Sequence, residues 1–338
     1  MGSSAERRPP VMADVAKVAG VSHQTVSRVL NNHPNVRGET RDRVLRAIEQ
    51  LGYRRNFAAR ALVTRRSRTL GVISFDTTLY GPASTVHGIE QAARVAGYFV
   101  TIVSLKSIDR SGMREAVDYL VGRGVAGLVV VAAPRSAVHG LTVPDGIPLV
   151  SVHGTCGKEE AVVGVDQVAG ARLAVEHLLR LGHRTVWHIT GPADWPETEG
   201  RLAGWRAALA EAGQAAPEPL PGDWSPRAGY QAGRRLAATP GVSAVFVAND
   251  QMALGVLRAL AEEGVKVPEQ ISVVGFDDIP EAEFFSPPLT TVRQDFDAVG
   301  RRSIEVLLRQ IEKGEPFGPG PLVVSPRLII RASTSPAR

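Results

Sequence analysis

The chain has 338 residues, 44% of them hydrophobic, and a single cysteine, Cys156. That is enough for two or three domains with a sizeable core, and it excludes an intrachain disulfide framework or a cysteine-built zinc cluster; a reducing compartment fits. Charge is unevenly placed: residues 1–68 hold 14 Lys/Arg against 5 Asp/Glu, net +9, while the rest of the chain is net −4, so a polyanionic partner is expected for the head alone.

Residues 1–10 have no apolar segment behind their basic residues, and no apolar run approaches a membrane span of roughly 18 residues. A cytoplasmic protein without a membrane partner is expected. Asp14–Asn31 reads as two short helices about a tight turn. Val15, Val18 and Ala19 fall at i, i+3, i+4 on one face. Gly20 supplies the turn, because it adopts φ > 0 without steric cost. Ser22 is placed to cap the second helix. Val26, Val29 and Leu30 form that helix's inner face, leaving His23, Gln24 and Arg28 outward. In a helix-turn-helix this half of the second helix meets base edges. Gln can bond adenine N6 and N7, and Arg guanine O6 and N7. By itself the stretch also admits the plainer reading of a surface helix with three ordinary polar residues.

Glu39–Leu51 reads as a third helix with Val44, Leu45, Ile48 and Leu51 inward. Arg41, Arg43 and Arg46 face solvent or phosphate. Gly52 ends it, and Tyr53 packs back. Arg54–Arg68 is basic, with a helix-capable centre at Asn56–Val63 of about two turns, too short to be stable alone in water. It is a flexible linker, or a hinge helix that orders on DNA and wedges Leu62 into a minor groove.

From Thr69 strands and helices alternate. Strands are expected at Thr69–Phe75, Tyr98–Leu105, Gly127–Ala133, Pro148–His153 and Val162–Asp166, with helices near Ala83–Ala96 and Arg110–Val121. The alternation resumes with helix Gln167–Leu181, strand Thr185–Thr190, helices Glu197–Ala212 and Pro226–Ala238, strand Ala244–Asn249, helix Gln251–Glu263 and strand Ser272–Phe276. The last segment gives a strand, a helix near Ala298–Ile311 and two short strands. Near-continuous apolar strands with helical crossovers mean parallel sheets covered on both faces. The expected fold is therefore an all-α helix-turn-helix head on an α/β core of two doubly wound subdomains. The expected boundaries are 1–53 for the head and 54–68 for the hinge. In the core, about 69–164 with 294–322 would form one subdomain, and about 165–292 with 324–334 the other.

Several motifs resemble the LacI/GalR family of bacterial transcription repressors, along nearly the whole chain. In the head they are Asp14-Val15-Ala16, Gly20-Val21-Ser22, Thr25-Val26-Ser27-Arg28-Val29-Leu30-Asn31 and Leu51-Gly52-Tyr53. In the core they are Leu181-Gly182-His183, Arg201-Leu202-Ala203-Gly204-Trp205, Val247-Ala248-Asn249-Asp250-Gln251-Met252, Ser272-Val273-Val274-Gly275-Phe276-Asp277-Asp278 and Pro288-Leu289-Thr290-Thr291-Val292. Gly222-Asp223-Trp224-Ser225 and Gln294-Asp295-Phe296 look most like the lac branch.

The resemblance implies a homodimer on a pseudo-palindromic operator, with a sugar-binding core shaped like a periplasmic binding protein. It implies DNA contacts from Ser22, His23, Gln24, Thr25, Ser27, Arg28 and Asn31, with Asn56, Ala59 and Leu62 on the hinge. It implies effector contacts from Leu79, Pro82, Arg201, Trp224, Asn249, Asp277, Gln294 and Phe296, and from His153 where the lac branch carries an acidic ligand. The chemistry agrees. A guanidinium and a carboxylate each grip vicinal hydroxyls through two bonds, and an aromatic ring packs on a sugar's apolar face. Alone, each charged residue could be a surface salt bridge, and Asn249 a helix cap. Trp195 faces the sugar or anchors its loop. Val11 stands where a capping Ser or Thr is usual, and Arg55 where Pro is frequent. No leucine-heptad tail follows Ile330, so a dimer is expected rather than a tetramer.

The expected function is a sugar-responsive repressor that a mono- or disaccharide, such as a galactoside, releases from its operator. The alternatives are a corepressor-dependent regulator sensing a purine or phosphorylated metabolite, and a sugar-transport protein, which would need a signal peptide. No enzyme is expected: there is no nucleophile elbow, phosphate loop or His-Glu-x-x-His motif. No cofactor or metal is expected, and His177 and His183 should cap or pack.

Overall fold

The computed structural model describes residues 8, 10–54, 67–76, 78–105, 109–131, 133–154, 161–314 and 321–337. They fall into two compact units, Met1–Arg66 and Ser67–Arg338. The proposed hinge contacts Asn56, Ala59 and Leu62, and nearly all of residues 1–10, lie outside the described residues.

Three helices build the described part of the first unit: α1 (Met12–Ala19), α2 (His23–Leu30) and α3 (Gly38–Leu51). Val15, Val26 and Val44 meet at its centre, fully buried, with Ala16, Ala19, Val29 and Ala47 around them. Two expected core residues turn outward: Val18 is 46% and Leu45 50% exposed. Ala16 and Ala47 take the inner positions, because α1 packs closely on α2 and α3 and a small side chain suits the contact. Gly20 ends α1 at φ 63°, and the Val21 N–H closes on the Ala16 carbonyl at 3.0 Å. Val11 caps nothing with its own side chain. Instead the Asp14 carboxylate accepts from the Val11 N–H at 2.9 Å. Tyr53 packs on the trio.

The second unit holds two sheets. Its first elements are β1 (Thr69–Phe75), α4 (Tyr80–Val95), β2 (Phe99–Leu105), α5 (Arg110–Gly122), β3 (Leu128–Val131), α6 (Arg135–Val138), β4 (Leu149–Val152) and β5 (Ala161–Val165). Then come α7 (Gln167–Arg180), β6 (Trp187–Ile189), α8 (Pro196–Glu211), α9 (Pro226–Ala237), β7 (Ala244–Val247), α10 (Asp250–Glu262) and β8 (Ser272–Asp277). The last are β9 (Thr290–Arg293), α11 (Phe296–Lys313), β10 (Leu322–Val324) and β11 (Arg327–Ile329).

The six-stranded sheet runs β10-β5-β4-β3-β1-β2 with every pairing parallel. The five-stranded sheet runs β11-β9-β8-β7-β6 and is parallel except for β11 on β9. The chain passes between the sheets three times: after β5, after β9 and after β10. The last segment thus returns to the first sheet through α11, which packs on α4 and β4, and to the second through β11. Strands β1, β3, β4, β7 and β8 are buried nearly throughout, as parallel strands covered by helices on both faces must be. In such sheets ligands settle outside the carboxyl ends of the strands, and here those ends from both sheets converge. No described helix is long and apolar enough to cross a membrane.

Candidate functional site

On the head, Ser22 caps α2 by accepting from the Thr25 N–H at 3.1 Å. Its hydroxyl also meets that of Thr25 at 2.9 Å. This fixes the first turn of α2 and leaves His23, Gln24 and Arg28 exposed on one side. Ser27 and Asn31 are tied to each other, Nδ2 to Oγ, at 3.4 Å. An open groove beside α2 gathers Arg28, Arg37 and Arg43 with Ser22, Thr25, Asn35 and Thr40. Arg41 does not join them, because its guanidinium is held by Asn32 and the His33 carbonyl. Arg37 was not anticipated. It precedes α3, and only the turn after α2 brings it to the groove.

In the second unit, all nine proposed effector contacts line one pocket: Leu79, Pro82, His153, Arg201, Trp224, Asn249, Asp277, Gln294 and Phe296. Leu79, Pro82 and His153 follow strands of the first sheet, and Phe296 opens α11, which packs on that sheet. Arg201 comes from α8. Trp224, Asn249, Asp277 and Gln294 sit at helix starts or strand ends of the second sheet. Trp195 lines the pocket and also packs edge-on against Trp224 at 6.0 Å, so it faces the pocket and anchors the loop at once. Tyr80 packs edge-on against Phe296 at 5.8 Å. Two aromatic pairs therefore border the space.

Arg201 is 4% exposed and held in place by its neighbours. Its Nε donates to Gln167 at 2.8 Å, and Nη1 donates to the Ala248 carbonyl. Nη2 lies 3.9 Å from Asp277 Oδ1, and the guanidinium stacks 4.0 Å over Phe276 and 5.3 Å from the Trp224 ring centre. Asp277 also accepts from Gln294 Nε2 at 2.6 Å. Burial pushes the Asp277 carboxyl up to about 6 against the opposing pull of Arg201 and Gln294. Burial holds His153 down to about 4, so its ring is neutral at pH 7. Asn249 is the helix cap: its Oδ1 accepts from the Met252 N–H and its Nδ2 donates to the Trp224 carbonyl at 3.1 Å. Its amide therefore positions Trp224 from within the wall.

Three pocket residues that are not glycine hold a left-handed backbone: His153 at φ 63°, Trp224 at 72° and Asp277 at 113°. Each such residue costs on the order of 1–3 kcal/mol, and such strain clusters at ligand clamps. Among the described residues, few buried side-chain polar atoms lack a partner. Both His153 nitrogens, Trp224 Nε1 and Glu197 Oε2 are among them, and all belong to this pocket. A buried polar atom without a partner costs about 1–3 kcal/mol, so these atoms suit a ligand rich in hydroxyls. Glu197 was missed from the sequence, although it sits one turn before Arg201 on the same helix face. His177 and His183 bond to Thr334 and to Ser243 and Ser272, and no described cluster could hold a metal ion.

Residues 11–56 match the bacterial regulatory proteins of the lacI family, and residues 175–334 match the periplasmic binding protein-like domain. The lactose operon repressor of Escherichia coli (strain K12) is 35% identical over 325 residues, covering 91% of this chain and 86% of the relative. The chain belongs to the lacI family of bacterial regulatory proteins. This lacI-family chain is accordingly a DNA-binding transcriptional regulator, and its relatives are regulators and not enzymes. A crystal structure of the lac repressor dimer bound to operator and the anti-inducer ONPF superimposes with a TM-score of 0.84 at 32% identity, over 97% of this chain and 100% of that one. A complex of the transcriptional regulator CelR with cellobiose gives a TM-score of 0.71 at 32% identity, over 96% and 99%.

Proposed function

We propose that this regulator is a repressor that binds a pseudo-palindromic operator as a homodimer and is released by a neutral mono- or disaccharide, such as a galactoside or a glucoside. The observation that carries this reading is the pocket. Strand ends of both sheets bring together an arginine, two carboxylates, two aromatic pairs and unpaired polar atoms. Hydroxyls find partners there, and the flat faces of pyranose rings find aromatic surface. The lac repressor and CelR structures carry sugar-type ligands, which supports the class without choosing between galactosides and glucosides. A phosphorylated effector fits poorly, because the Arg201 charge is already opposed by Asp277 at 3.9 Å, and no other Lys or Arg is among the described residues that line the pocket.

A sugar held by Leu79 and Phe296 on one side and by Arg201 and Asp277 on the other favours a closer arrangement of the two sheets. Operator DNA favours the other arrangement, so each ligand weakens the other by the same factor. A hundredfold weakening needs about 2.7 kcal/mol of coupling. Operator affinity itself falls steeply with salt, because Lys and Arg release phosphate counterions. The test is thermal unfolding against a panel of mono- and disaccharides. A ligand that binds only the native state raises the melting temperature as RT ln(1 + [L]/Kd). A shift with a neutral sugar supports the reading; a shift with purines or sugar phosphates alone contradicts it.

A further inference from the structure

Glu197 is the one pocket carboxylate that the rest of the protein does not use. It is 8% exposed, lies in the first turn of α8, and its Oε2 has no hydrogen-bond partner. The charged residues near it in sequence are otherwise occupied. Glu199, two residues on, takes Arg135 as its ion pair, and Asp194 accepts from Ser136. Arg201, on the same helix face, donates to Gln167 and to the Ala248 carbonyl and lies 3.9 Å from Asp277, with no hydrogen bond to Glu197. From the first sheet, the turn carrying His153 comes up to this helix start, where a Cβ on Gly154 would sit 3.5 Å from Pro196 Cγ. Both His153 nitrogens are themselves unpaired. A free carboxylate oxygen and a free imidazole thus line the same pocket from opposite sheets.

We propose that Glu197 is the specificity-determining acceptor of this pocket, that it binds a sugar hydroxyl in its ionised form, and that effector binding therefore releases a proton. The proposal rests on the sugar-pocket reading. In the free protein, burial pushes the Glu197 carboxyl up to about 7, with Asp277 pushing the same way and its own N–H and Arg201 opposing. A donating hydroxyl favours the carboxylate, so binding lowers that pKa and the proton leaves to buffer. Affinity then rises with pH. If only the ionised form binds, affinity increases about 30-fold from pH 5.5 to pH 8. Asp277, at about 6, adds a smaller step at lower pH, and His153, at about 4, stays neutral throughout.

The experiment is calorimetric titration of the full chain with cellobiose and with lactose between pH 5.5 and 8, in buffers of differing ionisation enthalpy. Wild type is compared with Glu197→Gln and Glu197→Asp. The expected results are proton release near pH 7 in the wild type and loss of the upper step in Glu197→Gln. Glu197→Asp should bind more weakly while keeping a pH dependence. Sugar binding with a flat pH profile, or an unchanged profile in Glu197→Gln, overturns this proposal and leaves the sugar reading intact. No binding of either sugar at any pH, with purine binding instead, overturns both.

Discussion

Replacing Glu197 by Gln in the free protein should raise stability at alkaline pH, and the size of the effect follows from its burial. An ordinary glutamate titrates near 4.5, and this one is pushed up to about 7. Folding therefore favours the protonated form. The stability gained from that preference is complete below pH 4.5 and is lost as pH rises to about 7. The move from 4.5 to about 7 corresponds to about 3 kcal/mol. Gln is neutral at every pH, so the stability difference between variant and wild type should grow by roughly that amount between pH 4.5 and 8. For a unit of this size it amounts to about 5 °C in melting temperature. Asp277 titrates in both proteins and cancels in the difference, as does His153, whose stability contribution is lost as pH falls from 6.5 towards 4. Urea unfolding of both proteins at pH 5, 6, 7 and 8 is the assay. Parallel pH–stability curves would refute the reasoning, because they would mean that Glu197 is hydrated or paired in solution.

Arg28→Ala should remove operator preference in a gel-shift series while leaving sugar-induced melting shifts intact, since Arg28 is exposed on the head and the pocket lies in the other unit. Arg201→Ala should still bind operator but ignore sugar. It should also lose about 3–5 kcal/mol of unfolding free energy, because buried Asp277 is left without its cation. Gly255→Ala should destabilise by about 1–3 kcal/mol or more in urea unfolding, because a Cβ there would lie 1.9 Å from the Pro226 carbonyl oxygen between α9 and α10.

Much of this fold is legible in the sequence, because long apolar strands separated by amphipathic helices admit few arrangements. Ser22 and Gly20 are equally readable, since capping and a left-handed turn each demand a small set of residues. Val18 and Leu45 are not: periodicity marks an apolar face, but the distance between helices decides whether Val or Ala fills it. The antiparallel β11 depends on the path of the last crossing, which three strand residues do not specify. Arg201 and Asp277 are readable as a motif. Glu197 is not, because Pro196-Glu197-Thr198-Glu199 reads as any acidic helix start. Only the orientation of α8 turns Glu197 inward while the Glu199 side chain stays 59% exposed. The left-handed backbones of His153, Trp224 and Asp277 have no sequence signature at all, since none of the three is glycine.

Release by a sugar is tested most directly by the affinity of the full chain for a palindromic operator duplex at fixed salt, titrated against the sugar that shifts its melting temperature. The sugar should weaken operator binding, and the operator should weaken sugar binding by the same factor. Operator affinity that is unchanged or tightened at saturating sugar would contradict release by a sugar inducer.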